Sequence, residues 1–445
     1  MKRSCYRWVV IGLVFLITII NYVDRSAIAF AMPILSRLFH LSDTDIGLTL
    51  GAFNIGYAVM VFVGGVMVDR WGARAIWVYA ALVWSLSIFA TAFAAGLAML
   101  FTVRLVLGLA EGPNFPALNR VVGDWLQRDE RAAALATGLV AVPLALMLGG
   151  PIVSELAISF GWRGMFVILA GLGLVWVPVW YVVYRDFPEQ ARGVNDAELA
   201  HIRGGAVTTR ATPVRELRRQ HGEAGPGAWK FMLTNPTLLA NDWAFFVFGY
   251  NLFFFMGWLP TYLTRAYGLN LRQVGLFTIL PWAVAAVLLY VVGHASDRLL
   301  RSTGSLRIAR SYPIGISQLL SGLCVLPLLG AHSIGVALAA ISLAVGFGMS
   351  ANAAFYAVNV DAIREKSGTA LGIMDFFFAA AGLIASTITG WIVQVSGSFH
   401  GAFLLLFGLN LTSVAGVFLF HRPDSREEQW QGEAEAELGS EPAGD

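Results

Sequence analysis

Twelve apolar runs recur along this 445-residue chain, each about 20 residues long and so sufficient for a helix to cross a hydrocarbon core of about 30 Å. They lie near residues 8–34, 45–67, 75–95, 97–120, 132–156, 163–184, 238–263, 273–296, 311–331, 333–359, 368–393 and 399–420. Inside lipid each backbone polar group must be satisfied within its own segment, which leaves the α-helix as the structure such runs can form. Composition agrees: 57% of residues are hydrophobic and 13% charged, against about 25% charged in soluble domains, and the mean hydropathy is +0.68. The expected fold is an all-α membrane protein with twelve transmembrane helices. The start, "MKRSCYRW", is basic and then apolar, but the run behind it is too long for a signal peptide and has no small-residue cleavage site, so it reads as an uncleaved first helix. Cys5 and Cys324 sit far apart in sequence and suggest neither a disulfide nor a metal site.

Orientation follows from the basic residues, since cytoplasmic loops retain Lys and Arg. With both termini inside, the cytoplasmic side holds 24 of the 30 Lys and Arg; the outside holds four (Arg37, Arg163, Arg265, Arg272), and Arg25 and Arg104 remain within the membrane. The expected location is therefore a multi-pass plasma (inner) membrane protein with cytoplasmic termini. Trp8, Trp71, Trp125 and Trp162 fall at predicted helix ends, where interfacial anchors belong.

One segment breaks the pattern. Arg185 to Lys230 is polar and rich in Gly and Arg, and it separates six helices from six. The domains read as a first six-helix half (1–184), a cytoplasmic linker (185–236), a second half (237–421) and a polar, acidic-ending disordered tail (422–445). Within the linker, "VNDAELAHIR" is a short surface-helix pattern and "GEAGPG" a flexible one. The halves share a motif: Gly65, Asp69 and Arg70 in "GGVMVDRWGAR" repeat at Gly293, Asp297 and Arg298 in "GHASDR", offset by 228 residues and each closing the second helix of its half. Duplicated halves place a substrate site near the midplane and rock about it.

"GGVMVDRWGAR" resembles the loop signature between helices two and three of the major facilitator superfamily. The stretches "NYVDR", "RLVLGLAEGPNFPALNRVVGDWLQRDERAAA", "GWLPTYL" and "DRLLRSTGSLRIAR" resemble, more narrowly, the anion:cation symporter family, and together they span both halves. The resemblance implies two pseudo-symmetric six-helix halves and cotransport of an organic anion, such as a sugar acid or other carboxylate, with a cation, usually protons.

The residues lead to the same chemistry independently. Asp24 and Arg25 stand side by side inside the first apolar run, and Arg104 and Glu111 are seven residues apart, on one face of the fourth helix. An isolated intramembrane charge costs about 2.5–3.5 kcal/mol on insertion scales, so four on two helices point to one shared interior cavity. One reading is structural: Asp24 with Arg104, or Arg25 with Glu111, forms ion pairs between helices one and four. The functional reading makes Arg25 the main carboxylate ligand, because its planar fork matches a carboxylate. Asp24 and Glu111 become proton sites, and Arg104 the partner that resets an acid. Tyr22 and Tyr57 are expected to line this cavity, or else to pack the interior. Gly112, Pro113 and Pro116 should loosen or kink the fourth helix.

Asp69, Arg70, Gly72 and Arg74, with Asp297 and Arg298, are gate candidates at the cytoplasmic edge, where charges can bond across the halves in one conformation only. Asp375 in "GIMDFFF" stands where related sequences more often carry an amide, and is expected either to titrate or to bind substrate hydroxyls. Asn352 and Asn359 on helix ten have a similar choice, substrate hydroxyls or neighbouring helices. No enzyme is expected: the seven His are scattered without metal-ligand spacing, and no cofactor, metal ion or nucleic acid is called for. The expected partners are a small organic anion, protons and the lipid bilayer, with the chain working as a monomer. A proton-coupled exporter or facilitator of the same fold is the alternative. Against it, "GGP" at Gly149 to Pro151 lacks the longer Gly-rich antiporter pattern, and the cavity holds two Arg.

Overall fold

The computed structural model describes residues 4–203, 226–363 and 367–424. The first half runs α1 (Tyr6–Leu38), α2 (Asp43–Trp71), α3 (Ala73–Thr91), α4 (Leu97–Glu111), α5 (Asn114–Trp125) and α6 (Arg128–Val183). Two short helices follow, α7 (Asp196–Ile202) and α8 (Pro226–Thr234). The second half runs α9 (Pro236–Tyr267), α10 (Leu271–Phe277), α11 (Ile279–Thr303), α12 (Tyr312–Val325), α13 (Ile334–Ser350), α14 (Asn352–Ala362), α15 (Ser367–Ser396) and α16 (His400–Phe420). Among the described residues ten stretches are long and apolar enough to cross a membrane. This is consistent with the expected twelve, since Gly161, at φ 71°, separates two helices inside α6, and α4 and α5 run on from one another with a break at Gly112 and Pro113. That break is the one expected from "GPNFP", and it is packed tightly: a Cβ on Gly112 would meet Met60, and one on Gly64 would meet Pro113.

The halves meet closely at the end of the bundle away from the termini. There α2 lies against α15 with glycine on both sides of the seam. A Cβ on Gly47 would come within 2.6 Å of the Ser386 carbonyl, and one on Gly390 would run into the carbonyl of Asp43. A second seam joins α6 to α10, where a Cβ on Gly275 would sit 2.8 Å from the Gly150 carbonyl. Small residues let helix backbones approach this far, and the contact area replaces a hydrophobic drive that lipid cannot supply. Ion pairs from Arg265 to Asp43 (2.6 Å) and from Arg272 to Glu155 (2.9 Å) flank the seams, and the Thr44 N–H donates to Gln394 Oε1 at 3.0 Å.

At the opposite end the N-terminal segment is clasped. Asn195 caps α7 by accepting from the Glu198 N–H, as the sequence pattern predicts for a helix there, but the helix is not a free surface element. Arg7 bonds Glu198 at 2.9 Å and Glu130 at 3.0 Å, and Glu198, fully buried, also accepts from the Ser4 hydroxyl and the N–H groups of Tyr6 and Arg7. Burial raises the Glu130 carboxyl, but the bonds from Arg7 and His201 outweigh it and hold the group below the usual carboxylate range. This clasp corrects one expectation. Trp125 is not an interfacial anchor: it is fully buried between Tyr6 and Tyr184, donating to the Arg185 carbonyl. Trp162 is buried too, edge-on to Phe39, whereas Trp8 and Trp71 are exposed as anchors should be. "GEAGPG" up to residue 225 and the tail beyond residue 424 lie outside the described residues.

The clasp makes a stability prediction. Arg7→Met removes the cation from a buried carboxylate, and breaking a buried pair on one side costs about 3–5 kcal/mol. The two backbone N–H groups still bound to Glu198 place the expected loss at the lower end, about 3 kcal/mol. Thermal unfolding of purified protein in detergent measures it, and an unchanged midpoint would show that Arg7 holds nothing together.

Candidate functional site

Of the four intramembrane charges expected to share a cavity, Arg25 and Arg104 line one, and Arg25 pairs with Glu111. Arg25 donates from Nε (3.0 Å) and Nη2 (2.9 Å) to one oxygen of Glu111, and Nη2 also reaches Asn21 Oδ1 at 3.4 Å. Both members of the pair are essentially inaccessible to solvent. The guanidinium carbon lies 4.4 Å from the ring centre of Phe53, 4.6 Å from Tyr22 and 4.8 Å from Tyr57, so Arg25 sits in an aromatic cage as well as an ion pair. A desolvated cation–π contact contributes about 2 kcal/mol.

Asp24 and Arg104 do not pair with each other. Neither oxygen of Asp24 has a hydrogen-bond partner among the described residues, although the side chain is 1% exposed. Successive helix residues project about 100° apart, so α1 cannot aim Asp24 and Arg25 at the same neighbour; Glu111 is nonetheless within electrostatic reach of Asp24. Arg104 lies 5.0 Å from the Phe53 ring and donates from Nη1 to the Arg25 carbonyl at 3.4 Å. Its Nε is buried without a partner, as is Nη1 of Arg25. The two arginines line one small cavity with Asn54, Phe253 and Met256. The site thus contains one ion pair in which Glu111 Oε1 is buried without a partner, one unpartnered acid, and unused donor atoms on both arginines.

Glycine explains why these side chains meet. Gly108 lies between Arg104 and Glu111 on the same face of α4, and a Cβ there would run into the Phe53 carbonyl; one on Gly56 would run into that of Leu105. The α2 and α4 backbones therefore touch, which carries the i, i+4 pair Phe53 and Tyr57 directly over the charges. Phe53 is absent from the residues singled out in the sequence, yet its stacking on Tyr57, with ring centres 5.6 Å apart, follows from that same spacing.

A second cavity lies between the halves, with Tyr22 and Tyr57 on one wall and Asn352, Tyr356 and Asp375 on the other. Asn359 does not face it: its amide donates to the Phe355 carbonyl and approaches the Met374 sulfur, which is the helix-packing use of such an amide. Asp242, near the start of α9, was not among the residues singled out in the sequence. It is 3% exposed, its Oδ1 has no partner, and it lies within electrostatic reach of Asp375. The signal was present, an acid inside the run at 238–263. Among the described residues no three His, Cys, Asp or Glu are placed to share a metal ion.

The repeated-motif residues stand at the terminal end, bonded within their own halves. Asp69 is 3.2 Å from Arg120, which also holds Asp124 at 2.6 Å. Gly72 takes φ 87°, and a Cβ there would collide with the Asp186 carboxylate, which accepts from the Arg74 N–H at 2.9 Å. The Arg74 guanidinium donates to the Tyr181 carbonyl and covers the Tyr181 ring at 4.1 Å, while that of Arg70 lies 5.5 Å from the Trp71 ring. In the second half Asp297 is 3.1 Å from Arg310, which approaches Asp361 at 3.8 Å. Arg298, next to Asp297, lies on the last turns of α11. In each copy of the motif the Asp therefore pairs with an arginine of its own half.

The fold matches that of a bacterial homologue of the human lysosomal transporter Spinster, solved in an inward-facing, unoccupied conformation, with a TM-score of 0.73 at 17% identity over 97% of this chain and 100% of the other. The family model described as Major Facilitator Superfamily matches residues 14–311 and 303–442. The chain belongs to the major facilitator superfamily. It is a membrane transporter and not an enzyme. Among curated relatives it is 32% identical to a hexuronate transporter of Bacillus subtilis, over 93% of this chain and 94% of the relative. It is 28% identical to a probable galactarate/D-glucarate transporter of Escherichia coli, over 91% and 90%.

Proposed function

We propose that this major facilitator takes up an organic anion of the sugar-acid kind together with protons across the cytoplasmic membrane, both termini lying inside. The observation that carries this reading is the buried cluster: the Arg25–Glu111 pair, with unused donors on Arg25 and Arg104 and an unpartnered Asp24 beside them. A carboxylate entering this cluster finds two planar cations in a low-dielectric site. By taking Arg25 it competes with Glu111, which then has reason to accept a proton; Asp24 is the second acid that titrates. Arg104, rather than only resetting an acid after release, is the second substrate ligand in this scheme, since its guanidinium is the less committed of the two. The hexuronate and galactarate/D-glucarate transport named for the relatives supports the substrate class.

The rigid glycine seams at the far end and the bracing at the terminal end support alternating access in which the halves rock about the cluster. Asp69, Arg70, Gly72, Arg74, Asp297 and Arg298 would then act by keeping the corners of each half rigid, exchanging partners across the halves when the terminal end closes.

The test is purified protein in liposomes carrying an internal pH dye, challenged with sugar acids, aromatic acids and small carboxylates. The expected result is internal acidification on addition of a transported anion, growing when the outside is made acidic. Anion entry without proton entry, or with proton exit, would overturn symport and favour an exporter or facilitator.

A further inference from the structure

The second cavity has an unusual charge distribution. Tyr22 and Tyr57, whose rings close on Arg25, form the wall nearest the cations. On the opposite wall Asp375 is the one charged side chain among the described lining residues, and none there is Lys, Arg or His. Asn352, 5% exposed, lines the same wall with its Oδ1 unpartnered, and Asp242 adds a second carboxylate within electrostatic reach of Asp375. One end of the cavity is thus closed by the tyrosine rings that cover Arg25, and the other offers hydrogen-bond acceptors and negative charge.

We infer that the cavity selects anions carrying a single carboxylate at one end and hydroxyl or ammonium donors at the other, and that Asp375 excludes dicarboxylates. This rests on the organic-anion reading above and narrows it. A monocarboxylate whose anionic end lies at the tyrosine wall, on the side of Arg25, brings its hydroxyls to Asn352 and Asp375, which accept from them. A dicarboxylate of the same length brings a second anion against Asp375, where like charges repel and neither finds a cation. This is selection by repulsion, which discriminates between ligands that share every attractive contact.

D-gluconate and D-glucarate make a matched pair of probes, since both are open chains that differ by a primary alcohol against a second carboxylate; a shorter pair, glycerate and tartronate, repeats the comparison. Their carboxylates are ionised at pH 7.5. Binding is read by the shift of the thermal unfolding midpoint with ligand concentration, and transport by competition with a labelled substrate in liposomes. In wild type the monocarboxylate of a pair is expected to bind at least about tenfold more tightly than its dicarboxylate. In Asp375→Asn that ratio is expected to fall below about threefold, through tighter dicarboxylate binding, because the amide removes the repulsion and keeps the shape. Asp375→Ser serves as a second variant, and the wild-type ratio stands without either. Equal or tighter dicarboxylate binding by wild type, or a ratio unchanged in the folded variants, overturns the inference while leaving the organic-anion reading in place. Absence of binding by every acid in both series overturns both.

Discussion

Asp24→Asn is expected to exchange labelled for unlabelled substrate at close to the wild-type rate and to lose pH-driven accumulation altogether, with an unfolding midpoint no lower than that of wild type. The amide matches the protonated acid in size and polarity but cannot exchange a proton, so a coupling acid replaced in this way leaves the substrate path intact and removes the driving force. Stability is the informative third readout. Breaking a buried ion pair from one side costs about 3–5 kcal/mol because the partner is stranded, but Asp24 has no hydrogen-bond partner to strand. Accumulation, exchange and unfolding measured on one preparation separate the possibilities. Uphill accumulation with normal pH dependence would remove Asp24 from coupling; a joint fall of all three would make it a structural residue.

Arg25 and Glu111 should behave differently because they hold each other. Arg25→Lys keeps the charge but cannot present two donors to one carboxylate oxygen as the Nε and Nη2 groups do. A charge-assisted hydrogen bond contributes about 1.5–3 kcal/mol, so substrate affinity is expected to fall by about one to two orders of magnitude. Glu111→Gln leaves the Arg25 cation inside the aromatic cage without its carboxylate. The expected cost is about 3 kcal/mol of stability, the rings retaining part of the attraction, together with loss of accumulation. Titrating substrate against thermal stability for both variants gives affinity and folding in one experiment. Wild-type affinity in Arg25→Lys would take Arg25 out of the substrate site, and an unshifted midpoint in Glu111→Gln would mean the pair does not bind the helices together.

The contrast between these acids shows where sequence reading ended. The intramembrane location of all four charges was legible because apolar runs leave them nowhere else to go, and the spacing of Arg104 and Glu111 put that pair on one face. Which arginine meets which acid was not legible, because it depends on how α1 lies against α4, and the Phe53 and Tyr57 rings that cover the pair arrive on α2 through the Gly56 and Gly108 contacts, which are distant in sequence. Asp242 is legible by the same rule as Asp24, an acid inside an apolar run, here the one at 238–263. The repeat of Asp69 and Asp297 was plain as a pattern, yet their partners Arg120 and Arg310 come from helices whose approach no spacing encodes. Trp125 failed for a related reason: a helix end predicts an interface only if no other segment covers it, and the N-terminal segment with Tyr6 does.

The seams at the far end bear on the pace of transport. They consist of backbone carbonyls against glycine and are flanked by ion pairs that remain partly exposed, Arg272 and Glu155 more than half so. Exposed pairs contribute at most about 1 kcal/mol, and carbonyl–glycine contacts carry no ionisable group. In the rocking scheme proposed above, such a closure would be a zip with little chemistry of its own: its glycine contacts recognise no cargo, so the chance of its parting would be left to whatever occupies the charges at the centre. A thickened seam, with alanine for glycine, would alter timing without altering choice.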